Sequence, residues 1–187
     1  MAVDCGADAL GFVFAKSPRK VSVKVASSIT RALGPWVSTV GVFVDESPAK
    51  IRDIARTCRL TAVQLHGNES PQGLAGFSPF KVIKAFRVST KEDLRNLRNF
   101  IVDAYLFDAK VSGQYGGTGK SFDWNLLASA NIPRPVILSG GLDSRNVRQA
   151  IRTVQPYGVD VSSGVEKSPG KKDPAKVREF ILNAKEN

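Results

Sequence analysis

Residues 157–166 read Tyr-Gly-Val-Asp-Val-Ser-Ser-Gly-Val-Glu, and this stretch decides the fold. Its short β-branched run leads directly into Ser162, Ser163 and Gly164, small residues whose backbone N–H groups are easily reached by a ligand. In α/β barrels, ligands bind at the carboxyl ends of the strands, where such turns lie. The stretch therefore predicts a last strand that ends in an anion-binding turn.

A second stretch of the same kind lies just upstream. Residues 136–141 read Val-Ile-Leu-Ser-Gly-Gly and precede a helix that we expect Asp143 to cap. Because small-residue turns after two consecutive strands can converge on one anion, Gly140 and Gly141 are predicted to share a phosphate with the turn at 162–164. Simple turn chemistry is the alternative for all five residues.

The rest of the chain alternates short apolar strands with amphipathic helices. Seven strand–helix units are visible, from Ala9–Phe14, which we expect to be buried on both faces, to Tyr157–Val161. A further helix is predicted from Thr90. Strict alternation gives a parallel sheet with right-handed crossovers. Because the chemistry-bearing residues gather at one set of strand ends, a TIM (β/α)8-type barrel is favoured over an open doubly wound sheet.

Length and composition place further bounds on the chain. With 187 residues, 42% of them apolar, residues 1–187 are predicted to form a single domain. The sequence shows no apolar run long enough to span a membrane and no secretory signal at Met1, which predicts a cytoplasmic protein. Two cysteines and one histidine argue against a disulfide scaffold and against a metal site.

The formal net charge of +10 is compatible with either a nucleic-acid ligand or an anionic small substrate. The basic residues are scattered over predicted helix faces and loops, in runs of at most two and without interleaved aromatics. Scattered charge of this kind is typical of a solvated surface, so nucleic acid is not expected as a partner.

Taken together, the strand ends resemble one family, the phosphoribosylanthranilate isomerases of tryptophan biosynthesis, which are (β/α)8 barrels. The matching motifs include Gln-Leu-His-Gly at 64–67 and Leu-Phe-Asp at 106–108, and they follow the family order along the whole chain. The segments are 6–14, 17–19, 40–44, 63–67, 106–108, 115–120, 122–124, 138–142, 158–166 and 169–173.

The resemblance implies an Amadori rearrangement of N-(5-phosphoribosyl)anthranilate that needs no cofactor. The family's general acid matches Asp108, and an acid that works near neutral pH predicts a closed, poorly hydrated site. The family's general base is a cysteine in a Lys-Ile-Cys-Gly-like motif on the first strand, which this sequence does not contain. We therefore expect a chain that starts late, without the first strand and most of the first helix of the barrel.

The same resemblance assigns substrate contacts. Arg19 is expected to bind the anthranilate carboxylate, because a forked cation suits a planar anion. His66 is expected to line the pocket and Asp160 to bind a ribose hydroxyl, while the glycine-rich loop 111–120 resembles a lid. The alternatives are a solvated loop arginine, a structural histidine, a turn-capping role for Asp108 and an ordinary long loop.

Two rival functions stay open at this stage. One is another phosphosugar barrel enzyme, such as a ribulose-phosphate epimerase or a thiamine-phosphate synthase, against which the pattern of His66 and Asp108 argues. The other is a non-catalytic phosphate or nucleic-acid binder that uses the positive charge. The expected partner is the phosphosugar-anthranilate substrate, and the expected assembly is a monomer or homodimer.

Overall fold

The computed structural model describes residues 1–74, 76–109 and 122–186 and contains a sheet of seven parallel strands. Their order in the sheet is the order of the sequence, without the reversal that marks a doubly wound sheet. The strands are β1 (Ala9–Val13), β2 (Ser38–Phe43), β3 (Ala62–Leu65), β4 (Lys81–Val88), β5 (Ala104–Ala109), β6 (Val136–Leu138) and β7 (Gly158–Val159).

Three of the helices that follow the strands begin at the caps that the sequence predicts. The helix after β6 does not: Asn146 stands at its N-cap, because Asp143 accepts the N–H groups of Arg145 and Asn146 in a turn before the helix. Ser22 and Ser47 each accept a hydrogen bond from a backbone N–H of the first turn that they cap, and Asp173 caps the last helix in the same way. Pro48 and Pro174 stand at the first helical positions. The helices are α1 (Val23–Arg31), α2 (Pro48–Thr57), α3 (Asn125–Ala128), α4 (Val147–Val154) and α5 (Pro174–Lys185).

The sheet curls so that its two ends approach each other, as in a barrel. Arg19, in the loop after β1, forms an ion pair of 2.7 Å with Glu166, which follows β7. At the opposite end of the strands, Asp8, which precedes β1, forms an ion pair with Lys185 of α5. Within the described ranges no backbone pairing joins β1 to β7, and on its outer edge β1 pairs only at Val13, with Lys20. The predicted TIM-type architecture with seven visible units is therefore confirmed.

The core lies between the sheet and the helices. Ile51, Ile54 and Ala55 of α2 are buried, as their spacing predicts, and Phe107 of β5 is fully buried. The close approach of strand and helix layers explains Gly41 in β2, because a Cβ there would lie 2.5 Å from a methyl of Leu60. In the part of the chain that the structure describes, no helix is long and apolar enough to cross a membrane.

Three expectations about individual elements are wrong. In β1 only Phe12 is buried, because an edge strand lacks a neighbour to cover it. Only Gly158–Val159 of the expected last strand pairs with β6. A helix was expected from Thr90, and Thr90 forms a capping box with Asp93, but two 3₁₀ turns follow instead of an α-helix. Leu97 is the only buried residue of these turns, too little packing to support a longer helix.

A small antiparallel hairpin follows β7 and lies against the loop after β1. A 3₁₀ turn at Ser163–Val165 leads into its first strand, β8 (Glu166–Ser168), which pairs with β9 (Lys171–Lys172). Gly170 at the hairpin tip has a φ of +80°, and a Cβ there would lie 3.1 Å from the carbonyl oxygen of Pro18. The hairpin therefore connects the last strand to the first loop of the sheet.

Candidate active site

Asp108 occupies a buried position at the carboxyl ends of the strands. It lies inside β5, as the residue before the last one, and only 4% of its surface is exposed. Its Oδ1 accepts a hydrogen bond from the N–H of Ala109, and its Oδ2 lies 3.4 Å from Nε2 of His66. The closed surroundings that the acid role predicts are therefore present.

His66, directly after β3, faces this carboxyl with one ring nitrogen. Its Nδ1 lies 3.0 Å from Nε2 of Gln64, and with that amide as donor the imidazole proton resides on Nε2, toward Asp108. The separation of 3.4 Å is within ion-pair range, yet Nε2 makes no well-formed hydrogen bond. The His66–Asp108 pair is therefore loose enough to exchange its mutual contact for contacts with a ligand.

Gly140 brings the turn after β6 against the acid. Its φ is +83°, and a Cβ there would lie 2.8 Å from Oδ1 of Asp108. The preceding Ser139 donates its hydroxyl to Oδ2 of Asp160, after β7, at 3.0 Å. Asp108, Gly140 and Asp160 therefore lie together at the ends of three consecutive strands.

Loss of contact with water raises the pKa of the Asp160 carboxyl, and the negative charge of Asp108 raises it further. The hydrogen bond from Ser139 and the charges of His66 and Lys172 act in the opposite direction. The Asp160 side chain is nevertheless open to solvent, and water moderates the rise. Asp160 is therefore placed to contact a ligand that enters from solvent.

The two glycine turns touch each other. A Cβ on Gly164 would overlap the carbonyl oxygen of Leu142, which follows Gly140 and Gly141. The 3₁₀ turn at Ser163–Val165 begins here, and the first N–H groups of such a turn have no partner within it. Gly141 has a φ of +68°, and its carbonyl accepts a hydrogen bond from Asn146. The five residues expected to bind phosphate therefore lie on two turns that touch each other at Gly164 and Leu142.

Arg19 reaches the same rim but is held by Glu166, a residue that sequence reasoning missed. Its Nε and Nη2 donate to the two carboxylate oxygens at 2.8 and 2.7 Å. The hydrogen bond raises the pKa of Arg19. Burial alone would raise the pKa of Glu166, but Arg19 and Lys172 lower it on balance. The partners are 147 positions apart, and no local pattern signals such a contact.

A buried lysine of β4, also missed, supports the turn that carries His66. Lys84 is 3% exposed, and its ammonium donates to the carbonyls of Leu65 and Gly67 and to Glu69 at 2.9 Å. Glu69 in turn accepts the N–H of Gly67. The available signal was a lysine in the otherwise apolar run Val-Ile-Lys-Ala-Phe at 82–86, since buried lysines normally have a partner.

Two further expectations concern a metal and a lid. Among the described residues, no group of three or more histidine, cysteine, aspartate or glutamate side chains could hold a metal ion. The predicted lid, loop 111–120, lies outside the described residues.

A curled sheet of parallel strands in sequence order, with a buried acid and touching glycine turns at its carboxyl rim, defines a TIM-barrel-type protein, a class in which ligands bind at that rim. The family profile of N-(5'-phosphoribosyl)anthranilate isomerase matches residues 1–183. The chain belongs to this family of isomerases of tryptophan biosynthesis.

Individual relatives agree with this assignment. The N-(5'-phosphoribosyl)anthranilate isomerase of Pelobacter propionicus is 51% identical over 187 residues, which are 100% of this chain and 89% of the relative. The crystal structure of the Thermotoga maritima enzyme is 45% identical, with a TM-score of 0.91, covering 100% of this chain and 92% of that one. Another phosphoribosylanthranilate isomerase structure contains reduced 1-(o-carboxyphenylamino)-1-deoxyribulose 5-phosphate, with 43% identity, a TM-score of 0.86 and coverage of 100% and 91%.

Proposed function

We propose that Asp108 of this chain is the general acid in the isomerisation of N-(5-phosphoribosyl)anthranilate to 1-(2-carboxyphenylamino)-1-deoxyribulose 5-phosphate. The observation that carries the proposal is the position of Asp108, buried at the rim, 3.4 Å from His66 and against the Gly140 turn. Ring opening breaks the bond between C1 and the ring oxygen, and the Asp108 proton goes to that oxygen while the anthranilate nitrogen forms a C=N bond. A nearby carboxylic acid lowers the barrier to this step.

The second half of the reaction needs a base. Removal of the C2 proton gives an enolamine, and its tautomerisation to the ketone returns a proton to C1, so the product is an isomer of the substrate. In the family the base is a cysteine of a Lys-Ile-Cys-Gly-like motif, which residues 1–187 do not contain. The chain itself supplies the acid and the two anion contacts.

Adding the missing base should therefore produce activity. An N-terminal extension of about 20 residues, the length of a strand with most of a helix, would carry the cysteine motif. We expect the extended chain to consume phosphoribosylanthranilate, measured by the loss of its fluorescence. The same extension with the cysteine replaced by serine is the matched control and should be at least about a hundredfold slower. An inactive extended chain would contradict the proposed function.

The phosphate of the substrate is proposed to bind at Gly140, Gly141, Ser162, Ser163 and Gly164. Gly164→Ala should weaken binding of a phosphate-bearing ligand at least about tenfold, because the new methyl group pushes the turn away from Leu142 and misplaces N–H donors to a charged group. Gly158→Ala is the control, since a Cβ there meets open space. Calorimetric titration with the reduced product analogue measures both, and equal affinities would contradict this site.

The proposal includes a cytoplasmic location and a monomeric or homodimeric state. Sedimentation of the purified chain at several concentrations distinguishes the two assemblies. Arg19, His66 and Asp160 are proposed as contacts for the anthranilate carboxylate, the reacting sugar and a ribose hydroxyl, respectively.

A further inference from the structure

The guanidinium of Arg19 has two edges that can each hold a carboxylate. One edge consists of Nε and Nη2, and the other consists of Nη1 and the second N–H of Nη2. Glu166 occupies the first edge with bonds of 2.8 and 2.7 Å. The second edge has the same forked geometry, and among residues 1–74, 76–109 and 122–186 it has no carboxylate partner, so it suits a planar anion.

Glu166 is itself held rigidly. Its carboxylate is 5% exposed, and Oε1 also accepts from the ammonium of Lys172 at 3.2 Å and from the N–H of Gly170 at 3.3 Å. With four donors on two oxygens, the carboxylate has little freedom to turn. Arg19 is therefore held by a fixed partner rather than by another mobile surface side chain.

The same network reaches the turn proposed to bind phosphate. Lys172 donates to the carbonyl of Ser162 at 2.7 Å, and Glu166 follows the 3₁₀ turn that contains Ser163 and Gly164. The position of the Arg19 fork is thus tied by direct contacts to the position of that turn. A ligand with a phosphate at one end and a carboxylate at the other would meet two anion sites at a fixed separation.

We propose that Glu166 is a positioning residue that holds Arg19 side-on, so that the second edge of the guanidinium binds the substrate's aryl carboxylate. This inference rests on the proposed function and deepens it, because it names the residue that sets the specificity of the carboxylate contact. Pre-orientation reduces the cost of ordering a long side chain on binding. Glu166 contributes through Arg19 and has no contact with the substrate.

The test compares two ligands on the unextended chain by calorimetric titration. The first is the reduced product analogue, and the second is the same molecule without its carboxyl group. The starting protein should prefer the first about tenfold or more, as expected for a charge-assisted bidentate contact. E166Q should lose most of this preference while binding the second ligand unchanged. The amide has one acceptor oxygen, and its NH2 group, a donor, faces the guanidinium nitrogen that the second carboxylate oxygen served.

Two controls separate positioning from general stability. E92Q removes a carboxylate that pairs with Arg95 in an exposed 3₁₀ turn, and it should keep the full preference. R19K can still pair with Glu166 but has no second edge, so it should lose the preference as E166Q does. If E166Q does not fold, E166D replaces it: the shorter side chain keeps the negative charge but cannot reach Nε and Nη2 of Arg19 in the same position, so it should also lose the preference.

The outcomes are distinct for the two proposals. A starting protein that binds neither ligand contradicts the proposed function and this inference with it. A starting protein that binds both equally leaves the function standing and overturns the role of the Arg19 edge. Three results would each overturn the positioning role of Glu166. Folded E166Q could keep the full preference for the ligand with the carboxyl group, or it could bind both ligands more weakly by the same factor. The third result is that R19K keeps the full preference.

Discussion

Asp108→Asn should reduce kcat of the isomerisation by at least about a hundredfold in the chain extended with the family's cysteine motif. The amide oxygen of the asparagine can still accept the N–H of Ala109, and its volume suits the space beside Gly140. What it lacks is an acidic proton for the ring oxygen when the C1–O bond breaks. The loss should therefore appear in kcat, while affinity for the reduced product analogue stays within a few-fold.

The measurement is the initial rate of fluorescence loss at saturating substrate. Asp53→Asn, on the exposed face of α2, is the matched control and should leave kcat unchanged. Near-normal turnover in Asp108→Asn would remove this residue from the acid role. A large loss of affinity with normal kcat would instead indicate that Asp108 binds substrate without transferring a proton.

The order of the elements was predictable because its causes are local in sequence. Ser47 followed by Pro48 specifies a helix start, and Ile51, Ile54 and Ala55 specify which face is buried. Each depends on residues within two turns of one another. The parallel sheet then follows from alternation alone.

The failures at β1 and β7 have a common physical cause. Their apolar residues indicate strands, but the burial of β1 and the length of β7 depend on neighbouring strands, and in the described sheet β1 and β7 do not pair with each other. Thr90 shows a second limit of prediction from the sequence. Its capping box depends on local residues and forms, whereas the continuation of a helix depends on packing from distant parts of the chain.

The candidate site likewise contains residues that could be predicted from the sequence and residues that could not. The strand-end residues Asp108, His66 and Gly140 could be placed together from sequence, because all parallel strands end at one rim. Glu166 and Glu69 could not be assigned, because their partners Arg19 and Lys84 lie on other strands or loops. Ionic contacts between distant segments leave no periodic pattern in a single sequence.

The second large expected effect is on the free energy of unfolding and comes from substitution of Lys84. Its ammonium is 3% exposed and contacts the carbonyls of Leu65 and Gly67 and the carboxylate of Glu69. Lys84→Met should lower the free energy of unfolding by about 3–5 kcal/mol, because removing one partner of a buried pair leaves an uncompensated charge. Lys81→Met, on the same strand, should cost at most about 1 kcal/mol, since its pair with Asp103 is solvent-exposed.

The destabilisation by Lys84→Met should also depend on pH. Desolvation tends to raise the pKa of Glu69, but the charge and hydrogen bond of Lys84 lower it below its ordinary value on balance. In the starting protein Glu69 therefore stabilises the fold above its unfolded-state pKa, and this contribution is lost as pH falls through the folded value. Without Lys84, desolvation still raises the pKa of Glu69, and of the groups that lower it only backbone N–H donors remain, so the pKa of Glu69 should rise.

Urea unfolding at neutral pH and near the ordinary pKa of glutamate measures this difference. The gap between Lys84→Met and the starting protein should be largest at neutral pH and should narrow in acid, where Glu69 takes up a proton. Adding Glu69→Gln to Lys84→Met should recover part of the lost stability at neutral pH, because the uncompensated charge is gone. A pH-independent gap, or a double variant less stable than Lys84→Met, would show that Lys84 acts mainly through the carbonyls of Leu65 and Gly67.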